Sequence, residues 1–89
     1  MAAFSLDDED ARVTLRTNRM IVSCRTYIHG LPSLVHPSVV LYEVRRRCGC
    51  GAWFWQGRTI VMQGDHRHAV KQCLVDAFGI PAARIDIQP

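Results

Sequence analysis

Residues 45–67, RRRCGCGAWFWQGRTIVMQGDHR, leave this chain little freedom in how it folds. A helical pattern closes in three arginines, and a second helical pattern opens after Asp65. Between them stand a Cys-Gly-Cys-Gly turn, the apolar run AWFW, the turn Gln56-Gly57-Arg58 and a second run from Thr59 to Gln63. That middle section reads as one β-hairpin, from Ala52 to Gln63. A hairpin held between two amphipathic helices must share a core with both of them. Basic clusters bracket the hairpin on either side, which marks this region as the expected contact surface.

The rest of the chain supplies the partners. Arg12 to Thr17 alternates, with Val13 and Leu15 on one side and Thr14 and Arg16 on the other, the period of a half-buried strand. Asn18-Arg19 is read as a tight turn, and Met20 to Ile28 as the returning strand, rich in β-formers. Gly30, Pro32 and Pro37 mark a loop, and Pro37 suits the first turn of a helix running from Ser38 to Arg47. Val40, Val44 and Cys48 share one face of that helix with Leu41 beside them, and Arg45, Arg46 and Arg47 fall in its last turn, where positive charge complements the helix dipole. Asp65 is the expected N-cap of the second helix. Its stripe is Val70, Cys73, Leu74, Ala77 and Phe78, ended by Gly79 and Pro81. Arg84 to Gln88 alternates again as a last strand, with Ile85 and Ile87 inward. The expected fold is α+β, a two-layer sandwich with two helices on one face of a mixed five-stranded sheet, in the order ββαββαβ.

Size and charge narrow the class. At 89 residues the chain is one domain with a modest core. No apolar run approaches the roughly 18 residues needed to cross a bilayer. The start, MAAFSLDDED, lacks the pattern of a secretory signal, so the chain reads as cytosolic and its four cysteines as reduced thiols. The net charge of +3 conceals a division. Asp7, Asp8, Glu9 and Asp10 make residues 1–11 a short acidic tail, expected to be flexible. Residues 12–89, the folded domain, carry eleven basic residues against four acidic ones, or +7, and ten of the eleven are arginine. Arginine's planar fork suits phosphate, so nucleic acid is the first partner to consider. Charge alone leaves a merely solvated basic surface equally open.

No catalytic constellation is present, and neither an enzymatic role nor a cofactor is expected. Glu43 reads as a solvated surface carboxylate. Cys48 and Cys50 with His66 and His68 offer four metal-ligand atoms. The cysteines are spaced too closely for an ordinary zinc pair, however, and histidines two apart on a helix diverge by about 200°, so no metal site is expected. Trp53 and Trp55 share a strand face opposite Phe54. With Phe54 inward beside Ile60 and Met62, both tryptophans lie on the open face of the sheet near Arg16, Arg25 and Tyr27. Aromatics interleaved with arginines suit stacking on RNA bases. The alternative is a patch covered by the tail, another protein or a second copy, and the cost of exposed tryptophan favours a cover.

The basic helix end Arg45-Arg46-Arg47, the Cys48-Gly49-Cys50-Gly51 turn and the Gln63-Gly64-Asp65-His66-Arg67 motif together resemble the signature of the eukaryotic translation initiation factor one family, the Sui domain. The Cys-Gly-Cys-Gly form is most similar to archaeal and bacterial members. The resemblance spans Arg12 to Gln88, and the family's two-helix, five-strand order is the one read above. It implies a non-enzymatic, cytoplasmic factor that binds ribosomal RNA of the small subunit near the P site. There it restrains initiator tRNA, promotes scanning of mRNA and rejects poor start codons alongside other initiation factors. By position, Asn18 and Arg19 correspond to the family's basic first hairpin loop. Arg45, Arg46 and Arg47 correspond to the helix end that meets ribosomal RNA, and Asp65, His66 and Arg67 to the motif associated with start-site stringency. Arg16 and Lys71 complete the basic set assigned to RNA.

This sequence departs from the family in three places. The first hairpin loop is short and carries one arginine where several basic residues are usual, which implies a weaker contact with the decoding site. Tryptophans are uncommon where Trp53 and Trp55 fall. The short acidic tail weakens contacts made through that segment. Two other functions stay open: a general single-stranded RNA-binding module, and a protein-interaction domain docking through the face of Arg25, Tyr27, Trp53 and Trp55. A monomer is expected, with a dimer through that face as the alternative.

Overall fold

The computed structural model describes residues 12–89; the acidic tail assigned to residues 1–11 lies outside the described residues. Five strands and two helices follow one another as β1 (Val13–Arg19), β2 (Cys24–His29), α1 (Pro37–Cys48), β3 (Ala52–Trp55), β4 (Thr59–Gln63), α2 (Arg67–Phe78) and β5 (Ile85–Ile87), with a single 3₁₀ turn at Ala82–Arg84 before the last strand. This is the α+β order ββαββαβ.

The sheet runs β3-β4-β2-β1-β5. Neighbours are antiparallel except β1 and β5, which are parallel, so the sheet is mixed. Pairing aligns Leu15 with Ile28, Ile28 with Ile60, and Ile60 with Phe54 across four strands. Alternation then puts Val13, Leu15, Ile28, Ile60 and Met62 on the helix side, where they meet Val40 and Val44 of α1 and Val70, Cys73 and Leu74 of α2. All ten are essentially inaccessible to water.

Helix ends follow the local sequence. Pro37 opens α1, and Gly49 closes it in the left-handed conformation at φ 59°, its N–H returning to the Arg45 carbonyl. Gly79 closes α2, and Ile80 just beyond it is buried in the core.

Several local expectations are corrected. Asn18 and Arg19 do not form a turn: they finish β1, paired with Arg25 and Cys24. The turn is the 20–23 loop, closed by the Met20 N–H bonding the Ser23 carbonyl at 2.7 Å, and β2 begins only at Cys24. Burying Leu15 against Ile28 fixes that register, and the loop takes whatever residues remain. Asp65 is not the N-cap of α2; His66 holds that position, without a side-chain capping bond. Ala77 is exposed rather than part of the α2 core stripe. Phe54 faces the helix side as expected but sits on the edge strand and stays 42 % exposed. Arg84 belongs to the 3₁₀ turn, not to β5.

Candidate nucleic-acid interface

Three groups of charged and aromatic side chains stand on this frame. The first is the corner where β4 turns into α2. Thr26, fully buried on β2, donates its hydroxyl to the Gly64 carbonyl at 2.6 Å and accepts the His66 N–H at 2.9 Å. Gly64 in turn donates its N–H to the Cys24 carbonyl at 2.7 Å, and the His66 ring Nε2 sits 2.8 Å from the Gln63 carbonyl. The Gln-Gly-Asp turn is therefore pinned to the sheet through backbone atoms. Its Asp65 side chain points outward into a two-pronged pair with Arg67, both bonds 2.9 Å, and Arg67 also donates to the Gln88 carbonyl. Those Arg67 bonds chiefly hold the Asp65 carboxyl below its ordinary range, and the positive charge of Arg19 adds to the effect. With Asp65 and Arg67 neutralising each other, Arg19 is the surplus cation of this corner.

The second group is the end of α1. Glu43 is not a free surface carboxylate: it accepts from Arg46 at 2.9 Å and from Arg47 at 3.2 Å, one helical turn on. The Arg46 hydrogen bond is the main reason its carboxyl is held below the ordinary range. One carboxylate thus lets three adjacent guanidinium groups coexist while leaving a surplus of two positive charges. Tyr42, Arg45, Arg46 and Cys50 line a shallow hollow of about 370 Å³ beside this end.

The third group covers the sheet face turned away from the helices. Strand pairing sets Arg16, Tyr27, Val61 and Trp53 in one cross-strand row. The Arg16 guanidinium lies 4.1 Å over the Tyr27 ring, and that of Arg25 lies 5.3 Å over Trp53. Trp55 meets Tyr27 edge-on at 5.7 Å, while His29 stacks on Tyr27 at 5.9 Å. Under this layer Val61 is only 1 % exposed although no helix covers it; Trp53 and Trp55 retain 37 % and 42 % exposure. Arg16 Nε–H donates to His29 Nε2 at 2.8 Å, which requires that nitrogen to be unprotonated. Burial, and secondarily the Arg16 charge, lowers the His29 pKa, consistent with a neutral ring.

The residues assigned to RNA therefore divide between two sides. Arg16 and Asn18 lie on the open face with Arg25, Tyr27, Trp53 and Trp55. Arg19, Asp65, His66 and Arg67 form the corner, Arg45, Arg46 and Arg47 end α1, and Lys71 lies one turn beyond Arg67 on α2. Four contributors escaped the sequence reading. Thr26 is an ordinary β-former whose buried hydroxyl gives no local signal. His29 follows Tyr27 at the strand period of two, which could have placed it on the open face. Arg58 donates to the Pro32 and Val35 carbonyls at 2.7 and 3.0 Å, tying the β3–β4 turn to the loop before α1. The 20–23 loop presents Met20, Ile21 and Val22 to solvent. Burial raises the pKa of Cys48, Cys50 and Cys73, leaving them protonated thiols. No group of three metal-ligating side chains is assembled among the described residues.

Two helices on one face of a mixed five-stranded sheet, with arginines on both sides, define a small basic α+β domain. The chain belongs to the translation initiation factor SUI1 family, whose pattern it matches over residues 10–81. That is a family of translation factors rather than of enzymes, and it assigns the domain a role connected with translation initiation. No curated protein sequence matches the chain. Among solved structures it is similar to the C-terminal domain of human eIF2D, with a TM-score of 0.71 at 15 % identity, a likeness of fold. The match covers 91 % of this chain and 47 % of that one, so this chain spans about half its length. No helix among the described residues is long and apolar enough to cross a membrane.

Proposed function

We propose that this chain is a cytoplasmic, monomeric initiation factor that binds the small ribosomal subunit near the P site. There it restrains initiator tRNA, favours scanning of mRNA and sharpens start-codon selection beside other initiation factors. The observation that carries this reading is the arginine end of α1, where Arg45, Arg46 and Arg47 are all exposed and, among the described residues, only Glu43 pairs with them. Guanidinium groups fixed on a helix end suit the phosphates of folded RNA, and such pairings give tight but salt-sensitive and reversible binding. Arg19 and the Asp65–Arg67 pair provide a second point of attachment, with the turn held rigid by Thr26, while Lys71 extends it along α2.

Sedimentation with purified small and large subunits at two salt concentrations tests the reading. Saturable binding to the small subunit alone is expected, weakening steeply with salt. In an Arg45/Arg46/Arg47→Ala variant the salt slope should fall by about one for each phosphate no longer held. Equal binding to both subunits, or an unchanged slope in the variant, overturns it. A start-codon reporter then separates subunit binding from stringency.

A further inference from the structure

We infer that the open sheet face is a second RNA site, which takes unpaired nucleotides by stacking bases on Trp53 and Trp55 and holding phosphates with Arg16 and Arg25. This goes beyond subunit binding by the α1 end and the β4–α2 corner, because the face lies on the opposite side of the sheet from both helices.

Charge argues first. The open-face positions of β1, β2, β3 and β4 are Thr14, Arg16, Asn18, Arg25, Tyr27, His29, Trp53, Trp55, Thr59, Val61 and Gln63. None is a carboxylate. The ion pairs among the described residues leave out both Arg16 and Arg25, so the face presents two uncompensated cations. At the far edge Asp86, on β5 opposite Thr14, is already paired with Arg12. An anionic occupant fits where an acidic-poor apolar helix would bury both charges unpaired.

Geometry argues second. Each guanidinium is laid over a ring, producing an aromatic and cationic platform on which a base can stack. Arg25 Nε is buried and has no hydrogen-bond partner, while its guanidinium lies over the Trp53 ring. A buried donor without an acceptor is unfavourable, and a shift of the Arg25 side chain that lets its guanidinium meet a phosphate or base oxygen at Trp53 would satisfy it. Trp53 and Trp55 stand on β3, an edge strand, so a nucleotide chain can approach them without crossing the rest of the sheet. The spacing of two residues puts the rings on one face along the strand, about 6–7 Å apart at the backbone, close to the span of a stretched single strand. Base-paired RNA keeps its π-faces inside the helix and cannot use such a platform.

The chain contains only these two tryptophans, so its intrinsic indole fluorescence reports on this face alone. Titration with unstructured hepta-uridylate and hepta-adenylate RNA, beside a duplex of the same length, is the test. Saturable quenching by the single strands and not by the duplex is expected. Two phosphates held on a single strand predict a log-log salt slope of about −1.4. Trp55→Ala should weaken binding roughly ten- to hundredfold, the effect of losing one stacked base, while Trp55→Phe keeps a ring and most of the affinity. Arg25→Gln should lower the slope. Circular dichroism and thermal melting establish that each variant is folded, and the Phe variant keeps the test meaningful if the Ala variant is not.

Equal quenching by duplex and single strand, or none by either, overturns the inference. So does self-association or capture of a protein segment that Trp55→Ala abolishes while RNA has no effect. The two RNA readings fail separately: quenching without small-subunit sedimentation sinks the initiation-factor reading and keeps this one. Sedimentation without quenching does the reverse.

Discussion

Single residues decide how this basic surface is held. Thr26 ties two backbone groups of the Gln-Gly-Asp turn to β2 from a fully buried position. Thr26→Val keeps the shape and removes the hydroxyl, leaving the Gly64 carbonyl and the His66 N–H without it, and should cost about 1–3 kcal/mol in urea unfolding. Thr26→Ser should recover most of that. His29 sets a pH dependence. Its folded pKa is lowered by burial and by Arg16, so the native state binds fewer protons than the unfolded chain below the ordinary value of 6.5. Stability contributed by the neutral ring is present above that value and is lost as pH falls toward the lowered one. Melting temperature should therefore drop as pH falls below the ordinary value of 6.5, and His29→Gln, which can still accept from Arg16, should flatten that slope. The site was legible at this scale only where period-two alternation spoke, for Arg16, Arg25, Tyr27, Trp53 and Trp55. Pairings such as Glu43 with Arg46 depend on rotamers that spacing permits but does not dictate, and Thr26 depends on meeting a turn far along the chain.

At the scale of elements, the fold was legible because each helix and strand carries a periodic apolar stripe, and only one architecture buries them together. The first hairpin loop was misplaced for a related reason. Met20, Ile21 and Val22 look like strand, whereas Asn18-Arg19 looks like a turn; cross-strand pairing of buried Leu15 with Ile28 overrules both. Asn18 pairs with Arg25 inside the ladder, and among the described non-glycine residues only Gln56 has a positive φ, so no primed two-residue turn exists at Asn18 to support the local signal. Two connections separate backbone conformation from space. A Cβ at Gly49 would meet nothing within 4 Å, so Gly49→Ala at the end of α1 should cost only the left-handed backbone penalty, about 1–2 kcal/mol. A Cβ at Gly30 would lie 2.2 Å from the Arg12 carbonyl oxygen, and Gly30→Ala should be clearly more damaging. Parallel chemical denaturation of the two variants checks the order.

Across the whole molecule, charge is divided along the chain. Removing residues 1–11 deletes four acidic residues and no basic ones, taking the net charge from +3 to +7. A variant lacking them should bind any RNA faster at low salt, with the advantage shrinking as ionic strength rises, as stopped-flow association can measure. The described residues meanwhile distribute their internal ties unevenly. Arg58 stitches the β3–β4 turn to the loop before α1, whereas Ile21 and Val22 at the opposite hairpin tip are 102 % and 93 % exposed. Nothing in the core leans on that tip, so it is the place where foreign sequence can enter the chain at the cost only of the Met20–Ser23 turn bond and of closing a longer loop. An epitope or a fluorophore grafted between Ile21 and Val22 would open that turn bond and leave the core packing in place. It would also sit beside Arg19, turning the tip into a reporter of whatever surface this end of the sheet meets.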